Sequence, residues 1–227
     1  MKRLIASVLA SACLAACGGG GTGGPSEPRL IEYYGDSTGY AVDGTTVLNG
    51  ACPVAGCTIV AAPASYIRVS GYTVSNKSIG GLATFDLIDG TPLAGNVTWA
   101  NRMKASKADV VLMAVGINDG YAYSPDKYRA LMTQIVQIAR DSGKQVVLQT
   151  PNPTREPRVT VLSATLRGLA AELGVALIDQ EIGLTPLVNS KGLLAVIPDG
   201  LHPNAPTYAL MGAISDQRLH EILGVGQ

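Results

Sequence analysis

Ser37 stands in Gly35-Asp36-Ser37-Thr38-Gly39, directly after a β-rich run from Leu30 to Tyr34. Open α/β sheets bind ligands beyond the carboxyl ends of their strands. A serine hydroxyl placed there can attack an acyl carbon once a base removes its proton. The chain offers two histidines for that task, His202 and His220. His202 lies in the turn-rich run Pro198-Asp199-Gly200-Leu201-His202-Pro203-Asn204. Asp199, three residues earlier, can fold back to accept the proton on Nδ1 and leave Nε2 for the serine, the orienting role such a triad requires. His220 neighbours Leu219 and Ile222 and reads as a surface or core-edge residue.

Acyl transfer also needs donors for the developing oxyanion, each worth roughly a hundred- to thousandfold in rate. The backbone N–H of Ser37 is one. Gly116-Ile117-Asn118-Asp119 follows an apolar run directly, so the Asn118 amide can reach the same sheet edge. Gly80 and Gly81, after Asn76-Lys77-Ser78-Ile79, can expose further N–H groups. Gly-x-Ser-x-Gly is also the nucleophile elbow of α/β-hydrolases, but that elbow follows several strands, whereas here the serine follows the first. In chymotrypsin-like proteases the histidine precedes the serine. No histidine precedes Ser37.

From Arg29 onward, short apolar runs alternate with segments of helical period, the pattern of strands and crossover helices around a parallel sheet. Five strands are expected at Leu30 to Tyr34, Tyr72 to Asn76, Asp109 to Val115, Gln145 to Thr150 and Val175 to Ile178. Val110 to Met113 is continuously apolar, as a strand covered on both faces requires. Helices are expected at Pro125 to Asp141, Val159 to Leu173 and Ala205 to Leu223. The first of these has Ser124 as N-cap, Pro125 in its first turn and Gly143 beyond its end. Ala41 to Ala64, rich in Gly, Thr and small residues, reads as an irregular excursion.

Gly35-Asp36-Ser37, Gly81, Gly116-Ile117-Asn118-Asp119 and Asp199-Gly200-Leu201-His202-Pro203 resemble, in order, the four sequence blocks of the SGNH, or GDSL-type, hydrolase family. The resemblance runs from Leu30 to about Leu223. It implies a flavodoxin-like three-layer α/β/α sandwich with a five-stranded parallel sheet. It also implies catalysis by Ser37, His202 and Asp199, an oxyanion hole of Ser37, Gly81 and Asn118, and no cofactor. Thr38 replaces the leucine that often follows the serine. Gly81 is preferred over Gly80 for its spacing from Asn76 and Thr84. Tyr40, Tyr121 and Tyr123 follow the serine and asparagine blocks closely enough to line the same cleft.

With 227 residues, Lys and Arg balance Asp and Glu at 17 each, which gives no electrostatic footprint for nucleic acid. Nine tyrosines against one Phe and one Trp suit half-wet surfaces such as sugar-facing clefts. Lys2 and Arg3 precede an apolar run from Leu4 to Ala12 that is too short to span a bilayer and has the proportions of a secretory signal. Leu14-Ala15-Ala16-Cys17 resembles the bacterial lipobox. Residues 1–16 are therefore expected to be a lipoprotein signal peptide, Cys17 the lipidated residue, and residues 17–28, rich in Gly and Pro, a tether to the domain at 29–227. Membrane contact is expected through that anchor alone, with the domain exported and held at the cell envelope. Export favours a Cys52–Cys57 disulfide, while two Cys and two His at these spacings match no zinc pattern, so no metal is expected. The expected activity is hydrolysis of a small O-acetyl or short acyl ester, on a glycan where location and tyrosines guide the choice. An acyltransferase using the same residues, or a catalytically silent glycan-binding lipoprotein, are the alternatives.

Overall fold

A computed structural model describes residues 27–47 and 56–226. The expected leader, Cys17, Cys52 and all of the tether except Glu27 and Pro28 lie outside the described residues. Five strands, β1 (Arg29–Gly35), β2 (Tyr72–Asn76), β3 (Val110–Ala114), β4 (Gln145–Gln149) and β5 (Ala176–Ile178), form one parallel sheet in the order β2-β1-β3-β4-β5. The chain steps from β1 outward to β2, then crosses back over β1 to β3 and continues the other way. Strand order thus reverses between β1 and β3, where Gly35 pairs with Ala114. The crevice outside that pair is where doubly wound sheets bind ligands. Ser37 and Asn118 lie two and four residues beyond it.

Nine helices complete the described chain: α1 (Ser37–Tyr40), α2 (Thr84–Asp89), α3 (Trp99–Ala105), α4 (Ile117–Ala122), α5 (Pro125–Asp141), α6 (Pro157–Leu173), α7 (Gln180–Lys191), α8 (Leu193–Val196) and α9 (Ala205–Leu223). On one sheet face, Tyr34, Val111, Met113, Val146 and Leu148 pack with Leu87 of α2, Trp99 and Met103 of α3, Ile135 of α5 and Leu166 of α6. On the other, Ile31, Tyr33, Val110, Leu112 and Val147 pack with Leu219 of α9. The period-2 alternation of side chains along a strand sorts these two sets. The three-layer sandwich expected from the sequence is the observed fold.

Local chemistry sets the boundaries. The Ser124 hydroxyl accepts from Lys127 N at 3.3 Å, with Pro125 in the first turn, so α5 begins where its cap dictates. The α6 helix starts at Pro157 rather than Val159, because the Glu156 carboxylate caps Arg158 N at 3.2 Å. The α7 helix has no clean apolar stripe and carries Pro186 inside it, which hid it from a periodicity reading. The short α2, α3, α4 and α8 fall below the length at which period is informative. Over its described parts the excursion is irregular as expected: a 3₁₀ turn at Gly44–Thr46, an isolated antiparallel bridge between Val42 and Ile59, and a second 3₁₀ turn at Pro63–Tyr66.

The tyrosines divide differently from the sequence expectation. Tyr33, Tyr34, Tyr128 and Tyr208 are core residues, buried because each hydroxyl finds a partner: Gln149, Glu32, Val115 O and Val42 O. Tyr40, Tyr66 and Tyr121 are exposed. Trp99 is fully buried, packs edge-on against Tyr34 with centroids 4.9 Å apart, and donates from Nε1 to Ile135 O at 3.0 Å. Trp99→Ala leaves a cavity beside an unpaired carbonyl and is expected to cost about 3–5 kcal/mol. The urea-unfolding midpoint reads this; an unchanged midpoint would contradict the placement of Trp99 at the centre of this face.

Candidate active site

The serine turn is built for close approach. A Cβ on Gly39 would lie 2.4 Å from Ser78 Oγ, and one on Gly35 would lie 2.8 Å from the same atom. Neither glycine has positive φ. These two glycines leave room for the loop after β2, whose Ser78 side chain lies directly over the turn. Ile79 N donates to Gly35 O at 3.0 Å, and Asn76 Nδ2 to Gly39 O at 3.0 Å, which fastens that loop down. The four-residue α1 ends at Ala41, whose φ of 69° places a non-glycine residue in the left-handed region.

Buried carboxylates tie the blocks together. Asp36 is fully buried; its Oδ1 accepts from the N–H and hydroxyl of Thr38, each at 2.9 Å, and its Oδ2 accepts from Ile117 N at 3.2 Å. The serine turn and the start of α4 are thereby joined across the β1/β3 switch point. Asp119, also fully buried, accepts from Thr84 N through both oxygens, at 3.0 and 3.2 Å. One residue away, Asn118 Nδ2 donates to Leu82 O at 3.0 Å. That bond fixes the Asn118 amide plane and leaves its second N–H available. Gly81 immediately precedes Leu82, is exposed and has φ +81°.

The third partner arrives from the loop before α9. Ser37 Oγ lies 2.8 Å from His202 Nε2, and His202 Nδ1 lies 2.7 Å from Asp199 Oδ2. A carboxylate can only accept, so Nδ1 carries the proton and Nε2 is free to take one from the serine. Asp199 Oδ1 accepts from His202 N at 2.7 Å and Leu201 N at 2.9 Å, the fold-back expected from the three-residue spacing. The His202 and Asp199 side chains are 12% and 5% exposed, so the base reaches solvent only at its edge. His220 is buried at the far end of α9 and bonds Asp216 O through Nδ1 at 2.9 Å, the core-edge role expected of it.

Two segments hold this loop. Asn152 Nδ2 donates to Leu201 O at 3.0 Å, and Arg155 N to Gly200 O at 2.7 Å, both from the β4–α6 connection. Gly44 N donates to Pro203 O at 3.2 Å, and a Cβ on Gly44 would fall 2.0 Å from His202 O. Sequence reading named the reacting residues and missed these supports. Asp36 and Asp119 were inside the quoted blocks but carried no assigned task. Gly44, Asn152 and Arg155 have no local signal, because their partners are more than 40 residues away in sequence.

Electrostatics follows from burial. Desolvation raises the Asp36 carboxyl above its ordinary range, although the N–H and hydroxyl of Thr38 and the N–H of Ile117 pull the other way. The Asp119 carboxyl is raised to about 6 by desolvation, opposed by its bonds to Thr84. Near neutral pH Asp119 is therefore ionised while it holds the Gly81–Thr84 loop. A hydroxyl in line with an imidazole and a carboxylate, beside an oriented amide and a glycine loop, can carry out nucleophilic acyl transfer.

The comparisons bear on this directly. Residues 33–210 match the model of the GDSL-like lipase/acylhydrolase family. The chain belongs to that family. It is accordingly an SGNH-type esterase, a carboxylic ester hydrolase. A search of the curated proteins returned no match. Among solved structures, the chain is similar to a carbohydrate acetylesterase from Sinorhizobium meliloti, at 15% identity and TM-score 0.65, over 86% of this chain and 99% of that one. It is similar to an acetylxylan esterase from Geobacillus stearothermophilus, at 17% identity and TM-score 0.65, over 87% and 95%. A GDSL-like lipase structure from Parabacteroides merdae is also similar, at 16% identity and TM-score 0.66, over 85% and 95%. At these identities the likeness shows the SGNH fold.

Gly44→Ala pushes the His202 carbonyl away; a displacement near 1 Å at a reacting group costs roughly a hundredfold, so kcat on an aryl acetate should fall by about that factor, and full activity would contradict the close packing. For Asp119, the folded pKa of about 6 lies above the ordinary 3.8. The folded state therefore binds more protons than the unfolded state between pH 4 and 6. Stability from this group is greatest below about 4 and is lost as pH rises through 6. Asp119→Asn removes that contribution, of up to about 3 kcal/mol. The Tm of the parent minus that of the variant should become more negative from pH 4 to 7. A pH-independent difference would contradict the buried carboxylate.

Proposed function

We propose that this esterase hydrolyses a small ester, an O-acetyl or short acyl group carried on a glycan, through an acyl-enzyme on Ser37. The observation that carries the reading is the unbroken Ser37–His202–Asp199 relay, at 2.8 and 2.7 Å. Ser37 Oγ attacks the acyl carbon while its proton passes to His202 Nε2. The carbonyl electrons move to oxygen, where the free N–H of Asn118 and the backbone N–H groups of Ser37 and Gly81 receive them. Collapse re-forms the carbonyl and expels the alcohol, which takes the proton from His202. Water then repeats the sequence: His202 accepts its proton, the oxygen bonds the acyl carbon, and Ser37 leaves reprotonated. Asp199 stays ionised and stabilises the imidazolium in each half.

The carbohydrate part draws on the solved structures it resembles, whose descriptions name a carbohydrate acetylesterase and an acetylxylan esterase. Export with a lipid at Cys17 belongs to the same proposal, as does a Cys52–Cys57 bond that closes a short loop within the excursion. Both rest on sequence context. Globomycin-sensitive processing of the full chain, read as a mass shift, tests the anchor. Ser37→Ala is expected to lower hydrolysis of an aryl acetate by at least about 10⁴-fold. Turnover within tenfold of the parent would remove Ser37 from the mechanism.

A further inference from the structure

A cavity of about 440 Å³ opens between α4 and α6, lined by Tyr121, Tyr123, Ser124, Arg158, Val161 and Leu162 among others. One wall begins beside Asn118, the other just after the connection that holds the His202 loop. Tyr121 is one helical turn after Asn118, so the two side chains leave α4 on the same side. Arg158 lies three residues after Arg155, whose N–H holds Gly200 O and whose guanidinium reaches Asp199 O at 3.4 Å. The helices can converge because residue 120 is glycine: a Cβ there would stand 2.8 Å from Val159 Cγ2. Beyond that contact they diverge, and the cleft is the space between them.

Its surface is mixed. Tyr121 and Val161 are each 49% exposed and present apolar area that nothing in the described chain covers. Burial first, then the charge of Glu156 and, more weakly, of Asp199, holds the Tyr121 phenol above its ordinary range, while Arg155 and Arg158 pull the other way. Arg158 supplies up to five N–H donors and Ser124 a hydroxyl. The cleft is far larger than a two-carbon acyl group, and lies within the range of small-molecule sites. An aromatic ring and an aliphatic wall edged by donors suit a ring with an apolar face and a rim of hydroxyls.

We propose that the cleft between α4 and α6 is the subsite for the alcohol portion of the ester, and that this portion is a neutral saccharide lying on Tyr121 with its hydroxyls toward Arg158 and Ser124. The proposal rests on the esterase reading of Ser37 and adds the location and class of the group that leaves. Tyr121, Arg158 and Ser124 are positioning residues with no part in proton transfer.

Two acetate esters distinguish the two readings: 4-nitrophenyl acetate, too small to fill the cleft, and acetylated xylotetraose. The parent is expected to prefer the saccharide in kcat/KM, through a lower KM. Tyr121→Ala with Arg158→Ala should lower the saccharide-to-aryl ratio by roughly tenfold or more, the equivalent of losing one good contact. Val161→Trp, which fills the cleft without removing a donor, should lower the same ratio, mainly through KM. A ratio within twofold of the parent in both variants would overturn the subsite. A parent that turns over 4-nitrophenyl acetate without preferring the saccharide would overturn the saccharide assignment and leave the esterase reading standing. A parent inert toward both esters would overturn both.

Discussion

The carboxylate of Asp36 has no contact with water and three hydrogen-bond donors around it: the N–H and hydroxyl of Thr38 on one oxygen and the N–H of Ile117 on the other. A buried carboxylate is costly unless its lone pairs are filled. These donors fill them only while the turn after β1 and the turn after β3 keep one relative position. Ser37 and Asn118 belong to those two turns, so the nucleophile and the oriented amide are registered against each other by the same bonds that make Asp36 tolerable. Asp119 repeats the device one step along, between α4 and the loop after β2. The nucleophile, the amide and the glycine loop are thus connected through two buried acids rather than through side-chain packing.

His202 reaches this assembly from elsewhere. Its loop has no strand to fix it, and Asp199 ties the ring and the N–H groups of Leu201 and His202 only within the loop itself. The backbone is held by Asn152 and Arg155 from the β4–α6 connection and by Gly44 from the excursion after α1. Gly44 is close enough to His202 O that no larger residue fits without movement. The catalytic constellation therefore draws on the connections after β1, β2, β3 and β4, all leaving the carboxyl edge of one sheet, and on the loop before α9, consistent with the rule that function in such folds gathers at the switch point. Two carboxyls raised by burial sit at the centre of this arrangement, and part of the fold's stability is given up to keep them there.

How much of this the sequence disclosed follows from the range over which each signal acts. The central strand β3 was legible because a strand covered on both faces must be apolar, as Val110 to Met113 is. The long helices α5 and α9 announced themselves by period and caps, whereas α7, interrupted by Pro186, and the one-turn helices did not. Ser37, His202, Asp199 and Asn118 could be named because their chemistry is local: each sits in a short block with its own turn residues. Gly44 and Asn152 act only through partners that the fold brings from far along the chain. Asp36 and Asp119 were in plain view, but a carboxylate reads as a clamp only once its donors and its burial are known. The tyrosines show the reverse error, since composition suggested a wet surface and four of the nine have their hydroxyls satisfied inside the core.

The most direct measurement is the reaction of the purified protein with a fluorophosphonate, followed by intact mass and peptide mapping. A nucleophile primed by His202 predicts one adduct per chain, located on Ser37, with its rate of formation reduced by orders of magnitude in His202→Ala. An adduct on another residue, no adduct at all, or labelling of His202→Ala at the parent rate would contradict the relay on which the mechanism stands.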